Sequence, residues 1–172
     1  VIALLIAILI RSLFFQPFYI PSSSMEPNLL VGDRIFVSKY TYGYSKHSFP
    51  FSPPIFDNRI LYSEPNYGDL VVFKTPSDNR TDFIKRLIGL PGDQIQFKDG
   101  NLFVNNEMIM RKKINNRNDI RCAGKEIDVL EYNEELSKKK SLNIVYKLKG
   151  SMKNSDLYKV PDDHFFFLGD NR

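Results

Sequence analysis

The sequence is short of the residue types that most often carry chemistry. It has one cysteine, Cys122, and two histidines, His47 and His164. A single thiol forms no intrachain disulfide and leaves the redox compartment open; its ordinary place is as a small hydrophobic filler. Two isolated histidines and one cysteine offer no ligand spacing, so no metal or other cofactor is expected. His47 lies in a Pro/Ser-rich stretch, and His164 follows Asp162 and Asp163 just before an apolar run. Neither has an orienting carboxylate set by spacing, which argues against a Ser-His-Asp triad. Tryptophan is absent; 14 Phe and nine Tyr supply the aromatic content, and with many Val and Ile this leans toward β structure. Charge of one sign is scarcely in excess, the net being +4. A nucleic-acid partner is not expected, because basic residues are not interleaved with stacking aromatics in any recognised motif. The excess lies largely within 111–149, where an anionic lipid surface explains it at least as well. What remains is 172 residues, 42% of them hydrophobic, enough for one folded domain and too apolar for disorder. There are no internal repeats.

No apolar run reaches the length of a bilayer. Residues 1–10 (VIALLIAILI) are uninterrupted and then meet Arg11. Ten residues make about 15 Å of helix, half of a hydrocarbon core of roughly 30 Å. Extending to Ile20 supplies the length but crosses Arg11, Gln16 and Pro17. The run reads either as the last part of a transmembrane helix or as the core of a secretory signal. A signal would be followed by small residues at a cleavage site. The sequence after Arg11 is bulky (LFFQPFYI), which favours a retained anchor over residues 1–16, with Arg11 and the aromatics at an interface. The chain opens on Val and closes on Arg172 inside a motif, and is read as a fragment at both ends.

The rest predicts strands, with no convincing soluble helix. Residues 31–46 open on a Gly-Asp turn and alternate through Ile35 and Val37; 47–66 hold four of the ten prolines and read as a long irregular loop. Leu70–Phe73 and Phe83–Ile88 follow as apolar strands, the second closed by Pro91-Gly92-Asp93. Asp99-Gly100 is a strong two-residue hairpin turn. It opposes Phe97 to Leu102 and Ile95 to Val104 on one side, with Gln96, Lys98, Asn101 and Phe103 on the other. Residues 111–160 are rich in Lys, Asn and Glu and read as a peripheral insertion, with Lys138-Lys139-Lys140 as a solvated face or hairpin tip. Phe165–Leu168 predicts a buried strand before Gly169-Asp170-Asn171-Arg172. The expected architecture is mainly β: a β-rich domain over 17–172, antiparallel and barrel-like, behind the end of a transmembrane helix.

Within this frame, Pro21-Ser22-Ser23-Ser24-Met25-Glu26-Pro27 stands between apolar flanks, Phe18 and Ile20 before and Leu29 and Leu30 after. It is either a solvated turn or a nucleophile beside a membrane, and a serine nucleophile needs a base. Lys85 is the unusual lysine, placed mid-strand on the face of Phe83 and Leu87. Burial there would lower its pKa by disfavouring the ammonium, as a general base requires. The alternative is a lysine or Arg86 snorkelling from a sheet edge.

These blocks together resemble type I signal peptidases, the bacterial membrane-bound Ser/Lys proteases that remove signal peptides from exported proteins. The resemblance is carried by Phe18–Pro27, by Gly32-Asp33 with Val37, Lys39 and Tyr42-Gly43, by Gly68–Lys74, by Asp82–Arg86 with Gly89–Asp93, and by Gly169–Arg172. It implies Ser24 as nucleophile, Lys85 as general base, and the Ser22 hydroxyl with the Ser24 N–H as oxyanion donors. Phe18, Ile20 and Ile84 match positions lining pockets for small residues at −1 and −3. Met25, Pro27, Arg86, Asp170, Asn171 and Arg172 match motif positions. The implied partners are the signal peptides of exported preproteins, added as a strand, and membrane lipid. The implied setting is a monomer on the outer, periplasmic face of a bacterial cytoplasmic membrane.

Three departures qualify the resemblance. Ser23 stands where glycine is frequent, a change expected to matter little. Cys122 alone excludes the disulfide of some members. The family continues past Arg172 with Asp-Asn-Ser-x-Asp, whose serine helps orient the lysine, which leaves this stretch open to being inactive or poorly folded on its own. Two other readings stay open. One is a Ser/Lys relative on the same fold, such as a pilus or conjugation maturation peptidase or a self-cleaving repressor. The other is a catalytically dead membrane-tethered module that binds peptides.

Overall fold

The computed structural model describes residues 1–49, 53, 58–122, 125–137, 140–147 and 150–172. Lys138 and Lys139, and residues 50–52 and 54–57 of the proline-rich stretch, therefore lie outside the described residues. The chain divides into two compact units, residues 1–20 with 32–65, and residues 21–31 with 66–172.

The first unit begins with α1 (Ile2–Leu13), which ends where Gln16-Pro17 approaches. A residue before proline is pushed to extended geometry, and proline cannot donate to a helix. The chain continues as β1 (Phe15–Tyr19), paired antiparallel with β2 (Arg34–Ser38), Phe18 opposite Ile35. The apolar residues of α1 face outward on all sides, with Leu4 and Leu5 65% and 60% exposed and Ser12 the buried residue. At about 1.5 Å per residue, 12 residues reach about 18 Å. Among the described residues, no helix is long and apolar enough to cross a membrane. Lys39 donates to the Ser48 carbonyl, and burial together with nearby Arg11 lowers its pKa.

The second unit holds β3 (Leu70–Lys74), β4 (Asp82–Gly89), β5 (Gln94–Lys98), β6 (Asn101–Val104), β7 (Glu107–Met108), β8 (Met110–Cys122), β9 (Lys125–Ser137), β10 (Lys140–Lys147), β11 (Tyr158–Lys159) and β12 (Phe166–Leu168). They form three antiparallel sheets in the orders β12-β4-β3, β11-β5-β6-β7 and β10-β9-β8. The β5–β6 hairpin has the predicted register, Phe97 opposite Leu102 and Ile95 opposite Val104. Asp99 and Gly100 have φ of 48° and 75°, the left-handed pair that matches strand twist in a two-residue turn.

The barrel-like expectation is corrected: among the described residues the strands make separate open sheets and no closed barrel. Closure requires a continuous ladder from first to last strand. Here the terminal strands β7, β11 and β12 have two or three residues, too few to carry the ladder into the next sheet. A single bridge, Val145 to Asn171, joins β10 to the chain beyond β12. β12 is also half-buried, not fully buried as expected.

The core runs across all three sheets: Ile88 of β4, Ile95, Phe97 and Leu102 of the hairpin, Leu136 of β9, Leu142, Ile144 and Tyr146 of β10, and Val160. The Lys/Asn/Glu-rich stretch thus contributes five of these side chains, four of them from β9 and β10. Alternation turns Leu142, Ile144 and Tyr146 to this core, while Ile120, Val129 and Val145 form a second buried cluster. Arg111 packs against the rings of both Tyr132 and Tyr146, its carbon Cζ 4.6 and 4.4 Å from their centroids.

Candidate active site

Ser24 is held in a short 3-10 turn, Ser23–Met25, preceded by Ser22 in extended conformation. Met25 anchors the turn, fully buried in the second unit. Pro27 follows a cis Glu26–Pro27 bond. Beyond it, Asn28 Nδ2 donates to the Asn143 carbonyl at 2.6 Å and to Asp170 Oδ2 at 2.7 Å.

Lys85 projects from the middle of β4, where Val71 of β3 is its backbone partner. Its Nζ donates to Ser24 Oγ at 2.5 Å, although the two residues are 61 positions apart. The ammonium also lies 5.6 Å from the centroid of the Phe83 ring. Burial lowers the Lys85 pKa, and the Asp170 carboxylate partly opposes the shift. Desolvation wins because Asp170 is already neutralised: Arg86 Nε and Nη2 donate to its two oxygens at 2.7 and 2.6 Å. Ser22 Oγ stands 3.3 Å from Ser24 Oγ. Ser22, Ser24 and Lys85 are therefore brought together.

The chain after β12 forms a clamp on this turn. The Asp170 and Asn171 N–H groups both donate to the Ser24 carbonyl, at 3.1 and 3.2 Å, and Asn171 Nδ2 donates to the Ser23 carbonyl at 3.1 Å. Gly169 permits the approach, since a Cβ built on it would lie 2.4 Å from the Ser24 carbonyl oxygen. That obstacle is backbone, with no rotamer to yield. Gly169→Ala is accordingly expected to destabilise the chain by about 1–3 kcal/mol, the range for overpacking, read as a lower urea midpoint with unchanged slope.

Arg86 Nη1 also donates to the Gly68 carbonyl at 2.7 Å, so the pair fixes the turn before β3. Arg172 makes a second buried ion pair, its Nη1 donating to both oxygens of Glu134 at 2.8 and 2.9 Å. Glu134, Asn28 and Asn143 carry no role in the sequence reading. Glu134 sits among Glu131, Tyr132, Asn133 and Glu135, which reads as solvent-facing. The signal that could have found it is its period-two spacing from Leu136, which places both on one face. The remaining expected site residues fall in different units. Phe18 on β1 and Ile20 just after it belong to the first, where Ile20 is buried; Ile84, half-buried on β4, belongs to the second. Among the described residues, no group of three or more His, Cys, Asp or Glu is arranged to hold a metal ion.

Such an arrangement can perform proton transfer between a serine hydroxyl and an amine whose pKa burial lowers. A family model described as "Signal peptidase, peptidase S26" matches residues 1–172. The chain is 39% identical to the signal peptidase I of Rickettsia conorii over 178 residues, covering 97% of this chain and 65% of that protein. It is 40% identical to that of Rickettsia rickettsii over 177 residues, with the same two coverages. Against the Rickettsia massiliae protein it is 39% identical over 182 residues, 100% of this chain and 66% of the other. The chain thus spans about two thirds of the length of these relatives.

Proposed function

Because the chain belongs to the signal peptidase family, we propose that it is a serine endopeptidase that removes N-terminal signal peptides from exported preproteins. The observation that carries this reading is the 2.5 Å contact between Lys85 Nζ and Ser24 Oγ.

In the proposed mechanism, the neutral Lys85 amine accepts the Ser24 hydroxyl proton as Oγ attacks the scissile carbonyl carbon. The negative charge that develops on the carbonyl oxygen is met by the Ser24 N–H and the Ser22 hydroxyl. Lys85, now an ammonium, delivers its proton to the leaving amine, and the acyl-enzyme ester remains. Water, deprotonated by the again-neutral Lys85, attacks that ester, and the Lys85 ammonium returns the proton to Ser24 Oγ as the carboxylic acid product leaves. The substrate lies as an added strand.

We place the enzyme at the bacterial cytoplasmic membrane with its site on the periplasmic face. The outward apolar faces of α1 support this, since a helix apolar all round is stable only in apolar surroundings. The reading is tested by cleavage of a preprotein in detergent, using the longest natural form of the polypeptide. Cleavage after a small-x-small motif, lost in Ser24→Ala, is the expected result. Cleavage that persists in Ser24→Ala overturns it.

The pH dependence follows from Lys85. The base must be neutral, so kcat/KM rises with pH through the Lys85 pKa and levels above it. Because burial lowers that pKa, the rise is expected below the ordinary lysine value near 10.4. A pH–rate profile whose rise lies at that ordinary value would contradict the assignment.

A further inference from the structure

We propose that Glu134, on the middle strand of the β10-β9-β8 sheet, is a positioning residue for Ser24, acting through Arg172. The inference rests on the Ser24 and Lys85 reading above.

The path is continuous and made of short contacts. Glu134 is fully buried, and both its carboxylate oxygens accept from Arg172 Nη1. Arg172 Nε in turn donates to the Gly169 carbonyl at 3.1 Å. Gly169 is the residue pressed against the Ser24 carbonyl, and the next two N–H groups donate to that same oxygen. Fixing Arg172 therefore fixes the turn 169–171, and that turn fixes the Ser24 peptide from behind, opposite the side chain that meets Lys85. Backbone bonds pin the other end of Arg172: its N–H donates to the Val145 carbonyl at 2.8 Å, and its carbonyl accepts from the Lys147 N–H at 3.1 Å. With both strand and guanidinium held, the turn has little room to drift.

The electrostatics point the same way. A guanidinium and a carboxylate this deep are each costly alone, and each is tolerated because the other is present. Burial raises the Glu134 pKa while Arg172 opposes the rise. Without a charge at 134, Arg172 would seek another acceptor. The nearest carboxylate of its own turn is Asp170, already held by Arg86 and Asn28. Competition there would rotate the turn that seats Ser24. Displacing a reacting atom by about 1 Å costs catalysis on the order of a hundredfold, so partial displacement should cost about tenfold.

The test compares kcat and KM of the parent and Glu134→Gln, with rates expressed per active site counted by single-turnover burst. The parent and Ser24→Ala are assayed first. If the parent does not cleave, or Ser24→Ala does, the Ser/Lys reading itself fails and this inference falls with it. Given a cleaving parent, Glu134→Gln is expected to lower kcat per site about tenfold with KM within twofold. In an Arg172→Gln background the same substitution should cost nothing further. A kcat within twofold of the parent, a change confined to KM, or an undiminished loss in the Arg172→Gln background overturns the proposal. Should Glu134→Gln not fold, Glu134→Asp keeps the charge but withdraws the carboxylate by one methylene. It is expected to lower kcat per site about threefold, and an unchanged kcat there overturns the proposal equally.

Discussion

Lys85→Met is expected to lower kcat on the order of ten-thousand-fold, the upper end of what a positioned acid–base group supplies, without lowering the stability of the chain at neutral pH. On the proposed mechanism, activity falls because Ser24 Oγ loses the base 2.5 Å away and the leaving group loses its proton donor. Stability does not fall, because an amine in this position opposes folding. The folded-state pKa of Lys85 is lowered below that of the unfolded chain, so the unfolded chain binds the proton more tightly. The stability that Lys85 carries is therefore complete above the unfolded lysine value near 10.4 and declines as pH falls toward the folded value. Methionine fills similar space and has no proton to bind. Thermal melts should show the variant level with or above the parent at pH 7, and the difference should shrink as pH approaches that of free lysine. A variant that melts well below the parent at pH 7 would assign Lys85 a structural role and count against its role as base.

Legibility from sequence depended on how locally each feature is determined. The β5–β6 hairpin could be read outright, because Asp99-Gly100 dictates its own turn and the turn dictates the pairing of Phe97 with Leu102. Lys85 announced itself as a charge inside an apolar strand. Its meeting with Ser24 did not, since no local rule joins positions 61 apart; the resemblance to signal peptidases supplied that pairing as an expectation. The clamp was visible only as a motif, Gly169 to Arg172, with no hint that its backbone N–H groups seat the Ser24 carbonyl. The stretch after Met110 was the least legible. Its Lys, Asn and Glu residues suggest a solvated periphery, but Leu136, Leu142, Ile144 and Tyr146 reach the core through a register set by three strands together. Glu134 belongs with them: a glutamate among polar residues declares no partner until Arg172 arrives from 38 positions away. At the N-terminus, the apolar run was legible as a helix, whereas β1 was masked by Pro17, which sits in the ladder opposite Phe36.

Asp170→Ala is expected to destabilise the chain by about 3–5 kcal/mol, the cost of leaving a buried charge without its partner. The Arg86 residue is 7% exposed and Asp170 fully buried, so water cannot replace the lost carboxylate. Three hydrogen bonds disappear together, two from Arg86 and one from Asn28, and the guanidinium keeps only its bond to the Gly68 carbonyl. Against a typical total of about 5–15 kcal/mol, the loss is a large fraction of what holds such a domain folded. Asp170→Asn should recover little, because an amide can offer one acceptor oxygen but must aim its NH2 at either Arg86 or Asn28, both donors. The informative comparison is the double variant Arg86→Met with Asp170→Leu. Replacing a buried ion pair by apolar side chains of similar volume removes the unpaired charge, so much of the lost stability should return. Activity should not return with it, because Asn28 keeps the Asn143 carbonyl but still lacks its acceptor at 170, and the chain beside the Ser24 turn is held by one bond fewer. Urea unfolding of the three variants separates these effects. If Asp170→Ala lies within about 1 kcal/mol of the parent, the pair contributes no more than a surface salt bridge, and the clamp owes its position to the bonds at Ser23 and Ser24 and to those of Arg172.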